Sequence, residues 1–140
     1  MTDFVELRLA NNLAALADLA DRVERFGVEH RLPASVVNAL NVALDEAVSN
    51  AINHGYDAGV GGEIAVRMRR RPDSVLVEVE DDGRPFDPLQ APPPDLTLPL
   101  EQRPVGGLGI HLIRNLMDEL SYARVGGRNV LKMAKHLAST

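Results

Sequence analysis

Cysteine and tryptophan are absent from this chain of 140 residues, and only two tyrosines and three phenylalanines are present. Without cysteine there is no disulfide, no thiol nucleophile and no cysteine-ligated zinc, a usage typical of a reducing compartment such as the cytoplasm. With so few aromatic rings and a net charge of −5, the chain offers neither a stacking platform for bases nor a basic field for a duplex. We therefore expect a cytoplasmic protein that does not bind nucleic acid.

Long apolar runs are lacking as well. No segment approaches the roughly 20 apolar residues that cross a bilayer, and the N-terminus MTDFVELRLANN does not have the basic-then-apolar layout of a secretion signal. A hydrophobic fraction of 45% and a charged fraction of 25% are ordinary for a globular domain, and 140 residues is the usual size of one. We predict a single domain over residues 1–140, with no membrane partner.

Periodicity along the chain predicts an α+β fold. Alternation of apolar residues indicates strands in FVELRLA, EIAVRMRR and VLVEVED, and a closing hairpin in SYARV, GGR and NVLKMAKHL. Helical spacing indicates a helix over residues 11–26 that stops at Gly27, a second helix from Pro33 to Gly55, and a third in GGLGIHLIRNLMDEL. The order of helices and hairpins is typical of a layered α+β domain.

Residues 84–106 differ from the rest in composition. This segment holds seven of the nine prolines, in RPFDPLQAPPPDLTLPLEQRP, and so cannot be regular helix or central strand. A compact domain seldom keeps so long a loop without a use. We predict a functional loop here.

The second predicted helix ends in an unusual motif, DEAVSNAINHGYD, residues 45–57. At about 100° per residue, Glu46, Asn50 and Asn53 share one sector of the helix, with His54 at its edge. A carboxylate with neutral amide oxygens suits Mg²⁺ that is held partly through water and phosphates. The alternative is a helix C-terminus open to solvent, where Asn and Gly are common. The helix alone does not decide between the two.

The motif VEVEDDGRPFDP places Asp81 at the end of a strand, followed by Gly83, where the backbone can turn close to a ligand. A buried carboxylate at this position suits an exocyclic amine such as that of adenine. The alternative is a plain Asp-Gly turn.

The motif GGLGIHL places glycines 106, 107 and 109 directly before an apolar helix. Backbone N–H groups at a positive helix N-terminus are a place for phosphate. The cluster is neither a Walker A loop, since Gly-Lys-Ser/Thr is missing, nor a Rossmann fingerprint, since no strand leads directly into it. By itself it is a weak indication.

Taken in this order, the three motifs resemble those of the GHKL ATPase and kinase superfamily, and within it the small serine kinases that act as anti-sigma factors in bacterial partner switching. EAVSNAINHGY resembles the family's N box, DDGRPFDP its first glycine box and GGLGIHLIRNLMDEL its second, while the proline-rich loop at 84–106 stands where the family keeps its ATP lid. The resemblance covers about residues 4–137. It implies a Bergerat-type fold, which is a two-layer α/β sandwich whose helices lie on one face of a mixed, mostly antiparallel sheet.

The resemblance also implies roles for single residues. Glu46 would be the general base, Asn50 the Mg²⁺ ligand, Asp81 the partner of adenine and Arg103 the residue that reaches the γ-phosphate. The nucleotide site it implies further includes Asn53, His54, Gly83, Gly106, Gly107, Leu108, Gly109 and Asn129.

Two positions depart from the wider superfamily. Pro85 stands where the first glycine box often has its last glycine, a form that is familiar in the small serine kinases. Asn129 falls near where many relatives place a threonine that supports the adenine-binding aspartate, and its amide can still hydrogen-bond. We interpret His54 as a phosphate-side or structural residue rather than a phosphoacceptor.

The function implied is an ATP- and Mg²⁺-dependent serine/threonine kinase that phosphorylates a STAS-type anti-sigma factor antagonist. In its free state such a protein sequesters a sigma factor or another regulatory client, and the family commonly forms homodimers. Two alternatives stay open: a nucleotide-gated binding module whose ATP state only selects partners, and an interaction domain whose glycine boxes no longer hold nucleotide. The presence of Glu46 favours the kinase, because binding alone does not need a base.

Overall fold

The computed structural model of the protein describes residues 3–57, 59–90 and 107–137. Its regular elements, in chain order, are β1 (Phe4–Ala10), α1 (Ala15–Glu29), α2 (Ala34–Gly55), β2 (Glu63–Arg70), β3 (Ser74–Asp81), a 3₁₀ turn (Pro88–Gln90), α3 (Gly107–Leu116), β4 (Glu119–Val125) and β5 (Arg128–His136). In the part of the chain that is described, no helix has both the length and the apolar character needed to span a bilayer.

The five strands form one sheet in the order β1-β2-β3-β5-β4, with β3 in the middle. The predicted α+β class is confirmed. The sheet is simpler than the mixed one we predicted, because every pair among the described strands is antiparallel. Two of these pairs are hairpins, β2 with β3 and β4 with β5, and short hairpin connections can join only antiparallel strands.

The helices cover one face of the sheet, as predicted. Strand residues that alternate toward the helices share one core with the apolar stripe of α2; this core includes Leu7, Leu9, Ile64, Val66, Met68, Val77, Val79, Leu131 and Met133 from the sheet and Leu40, Leu44, Ala47, Val48 and Ala51 from α2. The opposite face of the sheet is charged. There Arg67 donates to Glu6 at 2.9 Å and to Glu78 at 3.2 Å across three neighbouring strands.

Two predicted helix ends are wrong. Gly27 does not stop α1, which begins at Ala15 and runs to Glu29. A Cβ built on Gly27 would lie 2.6 Å from Cγ2 of Val37, so this glycine lets α1 and α2 approach each other closely. Periodicity cannot separate a glycine that ends a helix from one that is needed for helix packing, because both interrupt the apolar pattern in the same way.

The C-terminal end of the third helix also differs from the prediction. Helix α3 ends at Leu116, whereas the predicted segment continued to Leu120. Strand β4 already begins at Glu119, whose Cα partner in β5 is Ala134. Pairing with β5 therefore overrides the helical spacing of the last predicted turn.

Candidate functional site

Asp81 lies at the end of the central strand β3 with only 5% of its surface exposed. Its Oδ1 accepts two hydrogen bonds, from the backbone N–H of Gly83 at 2.9 Å and from Nδ2 of Asn129 at 3.0 Å. Within the described residues no donor reaches Oδ2. Burial raises the pKa of this carboxyl above its usual range, while those two hydrogen bonds and the charge of Arg124 act in the opposite direction. One carboxylate oxygen is thus held by the protein and the other is left for a donor on a ligand.

Asn129 faces Asp81 across the β3–β5 pair. Besides Asp81, its Nδ2 donates to the carbonyl of Arg84 at 2.8 Å, and its Oδ1 accepts from the backbone N–H of Phe86 at 3.2 Å and from the hydroxyl of Tyr122. Two N–H donors and one carbonyl oxygen are all that an asparagine amide offers. Asn129 therefore orients Asp81 and the chain that follows it, and has no spare group for a nucleotide.

Gly83 packs directly on the end of α2. A Cβ built on Gly83 would lie 2.5 Å from the carbonyl oxygen of Gly55, and the N–H of Arg84 donates to that same oxygen at 2.8 Å. The orphan carbonyl at the helix terminus is thereby satisfied. This contact joins the asparagine motif of α2 to the Asp-Gly motif of β3.

Gly83→Ala should lower the free energy of unfolding by about 1–3 kcal/mol, because the added methyl group meets backbone atoms that cannot rotate away. Gly61→Ala is the matched control: a Cβ there has no neighbour within 4 Å, and Gly61 is not among the glycines with positive φ. The control should stay within about 0.5 kcal/mol of the parent. Urea unfolding of the two variants measures both values, and equal stabilities would contradict the proposed packing.

The four polar residues of the α2 motif are separated by the structure. Asn50 is 9% exposed and lines a cavity together with Asp81. Asn53 is exposed, and His54 is half-buried, with its ring stacked on Phe86 at a centroid distance of 4.5 Å. Among Asn50, Asn53 and His54, only Asn50 lines the same cavity as Asp81. The helical wheel placed Asn53 in the same sector, but its side chain is exposed to solvent.

Glu46 lies apart from that cavity, one turn earlier on α2. Its carboxylate abuts the first turn of α3, where a Cβ built on Gly109 would lie 2.2 Å from Oε2. It also lines an open groove of about 290 Å³ between α1 and α2. Burial raises the pKa of Glu46 above its usual range, and the negative charge of Asp45 raises it further. No hydrogen bond or ion pair holds the Glu46 carboxylate within the described residues.

The cavity beside Asp81 is small, about 20 Å³. That volume holds about one water, far below the few hundred Å³ of a typical ligand pocket. Its outer wall includes Phe86, Pro88 and Tyr122. Arg114 of α3 donates to the carbonyl of Leu89 at 2.5 Å and ties the 3₁₀ turn to α3.

Several residues of this site were not found from the sequence. Tyr122 and Arg124 of β4 reach it from the edge strand, where Tyr122 binds Asn129 and Arg124 donates to the carbonyl of Gly83 at 2.9 Å. Phe86 closes it from the loop. The alternation of β4 would have placed Tyr122 and Arg124 on one face, but only the pairing with β5 brings that face to Asp81.

Some predicted residues cannot be placed. Arg103 and Gly106, and the loop from residue 91 onward, lie outside the described residues. Gly107, Leu108 and Gly109 form the first turn of α3. Among the residues that are described, no group of three or more His, Asp or Glu side chains could hold a metal ion. Asn50 places an amide group at the cavity, and an amide oxygen is a type of ligand that Mg²⁺ accepts.

The α+β fold and the convergence of the three motifs at one end of its sheet define an ATPase-type domain. Residues 9–135 match the histidine kinase-like ATPase domain, and the chain belongs to that family. Use of ATP follows from this membership. The resemblance inferred from the three motifs is confirmed.

Two curated relatives indicate the subgroup of the family to which the chain belongs. Serine/threonine-protein kinase BtrW of Bordetella bronchiseptica is 31% identical over 137 residues, which are 98% of this chain and 95% of BtrW. Serine-protein kinase RsbW of Bacillus cereus is 32% identical over 122 residues, 83% of this chain and 75% of RsbW. The chain belongs with the partner-switching serine kinases of its family.

A solved structure supports the fold. The crystal structure of the RsbU and RsbW domains of Rv1364c from Mycobacterium tuberculosis matches with a TM-score of 0.72 at 18% identity, covering 99% of this chain and 34% of that longer chain. At this level of identity the likeness concerns the fold alone.

Proposed function

We propose that this protein transfers the γ-phosphoryl group of ATP to a serine or threonine of a STAS-domain anti-sigma factor antagonist, and that it sequesters a sigma factor or another regulatory client. We further propose that residues 1–140 form one such domain in the cytoplasm, with residues 84–106 as its ATP lid. The alternative is a nucleotide-gated binding module without catalysis. A homodimer is compatible with either.

The observation that carries the proposal is the state of Glu46. A carboxylate that serves stability is normally paired, whereas Glu46 is partly buried without a hydrogen bond or ion pair in the described chain. Its raised pKa moves it toward the range in which a carboxylate accepts protons well at neutral pH. A module that only binds nucleotide has no need of such a group.

The residues of the chain have distinct tasks in this proposal. Oδ2 of Asp81 accepts from the exocyclic amine of adenine, and the N–H groups of the first turn of α3 face phosphate oxygens. Asn50 contributes one oxygen to Mg²⁺, and Glu46 takes the proton of the incoming hydroxyl. When bound, Mg·ATP supplies the group that is transferred and a metal that neutralises charge on the phosphates.

The free acceptor oxygen of Asp81 fits the adenine amine, but a cavity of about 20 Å³ does not admit the base. The segment from Phe86 to Pro88 therefore has to move before a base can enter. Phe86→Ala should then raise the association rate of ATP by about tenfold or more, since an open state is commonly a minor one of 0.1–10%. Stopped-flow binding of a fluorescent ATP analogue measures the rate, and Leu13→Ala, which removes a side chain that is 58% exposed, is the control. Equal rates in wild type and Phe86→Ala would show that this segment is not the barrier.

The proposed function is tested by incubating the purified protein with Mg²⁺, γ-labelled ATP and a STAS-domain antagonist from the same organism. Label should appear on the antagonist, and an antagonist whose acceptor serine or threonine is replaced by alanine should stay unlabelled. If calorimetry shows ATP binding but no label is transferred, the binding-module alternative is correct.

A further inference from the structure

Gly109 is buried in the first turn of α3, where this helix packs on α2. A Cβ built on Gly109 would lie 2.2 Å from Oε2 of Glu46, 2.9 Å from its Cδ and 3.7 Å from its Cγ. These three atoms are the nearest neighbours of that position, and all belong to one side chain. The Glu46 carboxylate therefore occupies the space that any other residue at position 109 would need.

No backbone requirement explains a glycine at this position. The described glycines with positive φ are Gly59, Gly126 and Gly127, so Gly109 has an ordinary helical backbone that alanine would also adopt. A glycine in a helix costs roughly 0.5–1 kcal/mol relative to alanine. Gly83 differs, because its missing Cβ makes room for backbone atoms of Gly55.

The Glu46 carboxylate has a second position that it could occupy. The groove between α1 and α2, about 290 Å³, opens beside Glu46 and is lined by Leu16, Ala20 and Asn41 among others. A methyl group at position 109 would meet the far end of a flexible side chain, which can rotate into this groove without disturbing the fold. The carboxylate would then leave α3.

We propose that Gly109 is a positioning residue for Glu46: because position 109 has no side chain, the carboxylate has room to lie against the first turn of α3. The proposal rests on Glu46 being the base of the proposed function, and it gives Gly109 a task different from binding phosphate. A displacement of about 1 Å of a reacting group can cost roughly 10²-fold in rate.

The kinetic test is a double-mutant cycle on the full chain. Gly109→Ala should lower kcat roughly 10²-fold and leave the KM and the calorimetric affinity for ATP within about threefold. In a Glu46→Ala background no carboxylate is left beside position 109. The double variant Glu46→Ala/Gly109→Ala should therefore be no slower than Glu46→Ala alone in its residual transfer, because the two changes are coupled rather than additive.

A second readout needs no nucleotide. In a Glu46→Ala background, Gly109→Ala should raise the melting temperature of the apo protein, because alanine gains helix propensity without a clash. In the wild type the same change should raise the melting temperature less, or lower it, because the new methyl group meets the Glu46 carboxylate. Equal shifts in the two backgrounds would overturn the inference, as would a loss of ATP affinity in Gly109→Ala with kcat unchanged. Wild-type transfer by Glu46→Ala would show instead that Glu46 is not the base of the proposed function, and the melting temperatures would still decide whether Gly109 positions Glu46.

Discussion

Glu46→Ala should cut phosphoryl transfer to the antagonist by roughly 10² to 10⁴, the usual contribution of a general base, while ATP affinity stays within a few-fold. The proton of the acceptor hydroxyl moves only in the transition state, so removing its acceptor affects the rate and not ground-state binding. Steady-state kinetics with labelled ATP give kcat, and calorimetry gives the affinity of the same preparation.

Asp45→Ala is the matched control, since Asp45 is the neighbouring carboxylate, is exposed and lines the same groove. Burial, the larger cause of the raised pKa of Glu46, stays in this variant, so it should transfer at close to the wild-type rate. Asn50→Ala should differ from both, because it weakens Mg²⁺-dependent ATP binding and transfer together. If Glu46→Ala phosphorylates the antagonist as fast as the wild type does, Glu46 is not the base.

The same variant has a consequence in the cell. A Glu46→Ala protein should still bind its client but could not inactivate the antagonist by phosphorylation. The unmodified antagonist would keep competing, and the client would be released more than in the wild type. Reporter expression under control of the client measures this effect.

Asp81→Asn should abolish ATP and ADP binding and at the same time raise the melting temperature of the apo protein at neutral pH. The amide keeps the shape of the side chain and an oxygen for the N–H of Gly83 and for Asn129, but it turns a donor toward the adenine amine. Calorimetry tests the loss of binding. ATP at 100 times its Kd stabilises a protein by about 2.7 kcal/mol, and this stabilisation should vanish in the variant.

The sign of the stability change follows from the pKa. Burial raises the pKa of Asp81 in the folded protein, so the ionised carboxylate opposes folding at any pH above its ordinary value. As the pH falls through the raised pKa of the folded protein toward the ordinary pKa of aspartate, Asp81 is protonated and its destabilising effect disappears. The advantage of Asp81→Asn should therefore shrink in acid, and melting curves between pH 4 and 8 measure it.

Asp82→Asn is the control with the opposite sign. Asp82 is exposed, and the hydroxyl of Tyr56 donates to it at 2.5 Å, which holds the pKa of this carboxyl below its usual range. Its contribution to stability is present above the ordinary pKa of aspartate and is lost as the pH falls through the lowered value. Asp82→Asn should bind nucleotide normally and should not melt higher than the wild type at neutral pH. A higher melting temperature in both variants would contradict the inference that the ionised Asp81 carboxylate in particular opposes folding.

The sequence by itself determined the class of fold, the strands and the three motifs that identify the family. These features are local: the alternation of VLVEVED or the spacing of Leu40, Leu44 and Val48 is set by the period of one strand or helix. Asp81 at the end of a strand and the glycines before α3 are likewise visible within short segments. The motifs also predict Glu46 and Asn50 as functional residues of α2.

Only the tertiary structure decided how these segments meet. Asn129 is 48 residues from Asp81, and its bond to that carboxylate depends on the register of β3 with β5. The contact of Gly83 with Gly55, the closure of the cavity by Phe86 and the place of the Glu46 carboxylate against Gly109 all join separate elements. The role of Gly27 depends on tertiary structure for the same reason, since only its contact with Val37 distinguishes helix packing from helix termination. A periodic pattern reports which face of an element is buried, whereas the partner of each residue on that face is chosen by the packing of the whole domain.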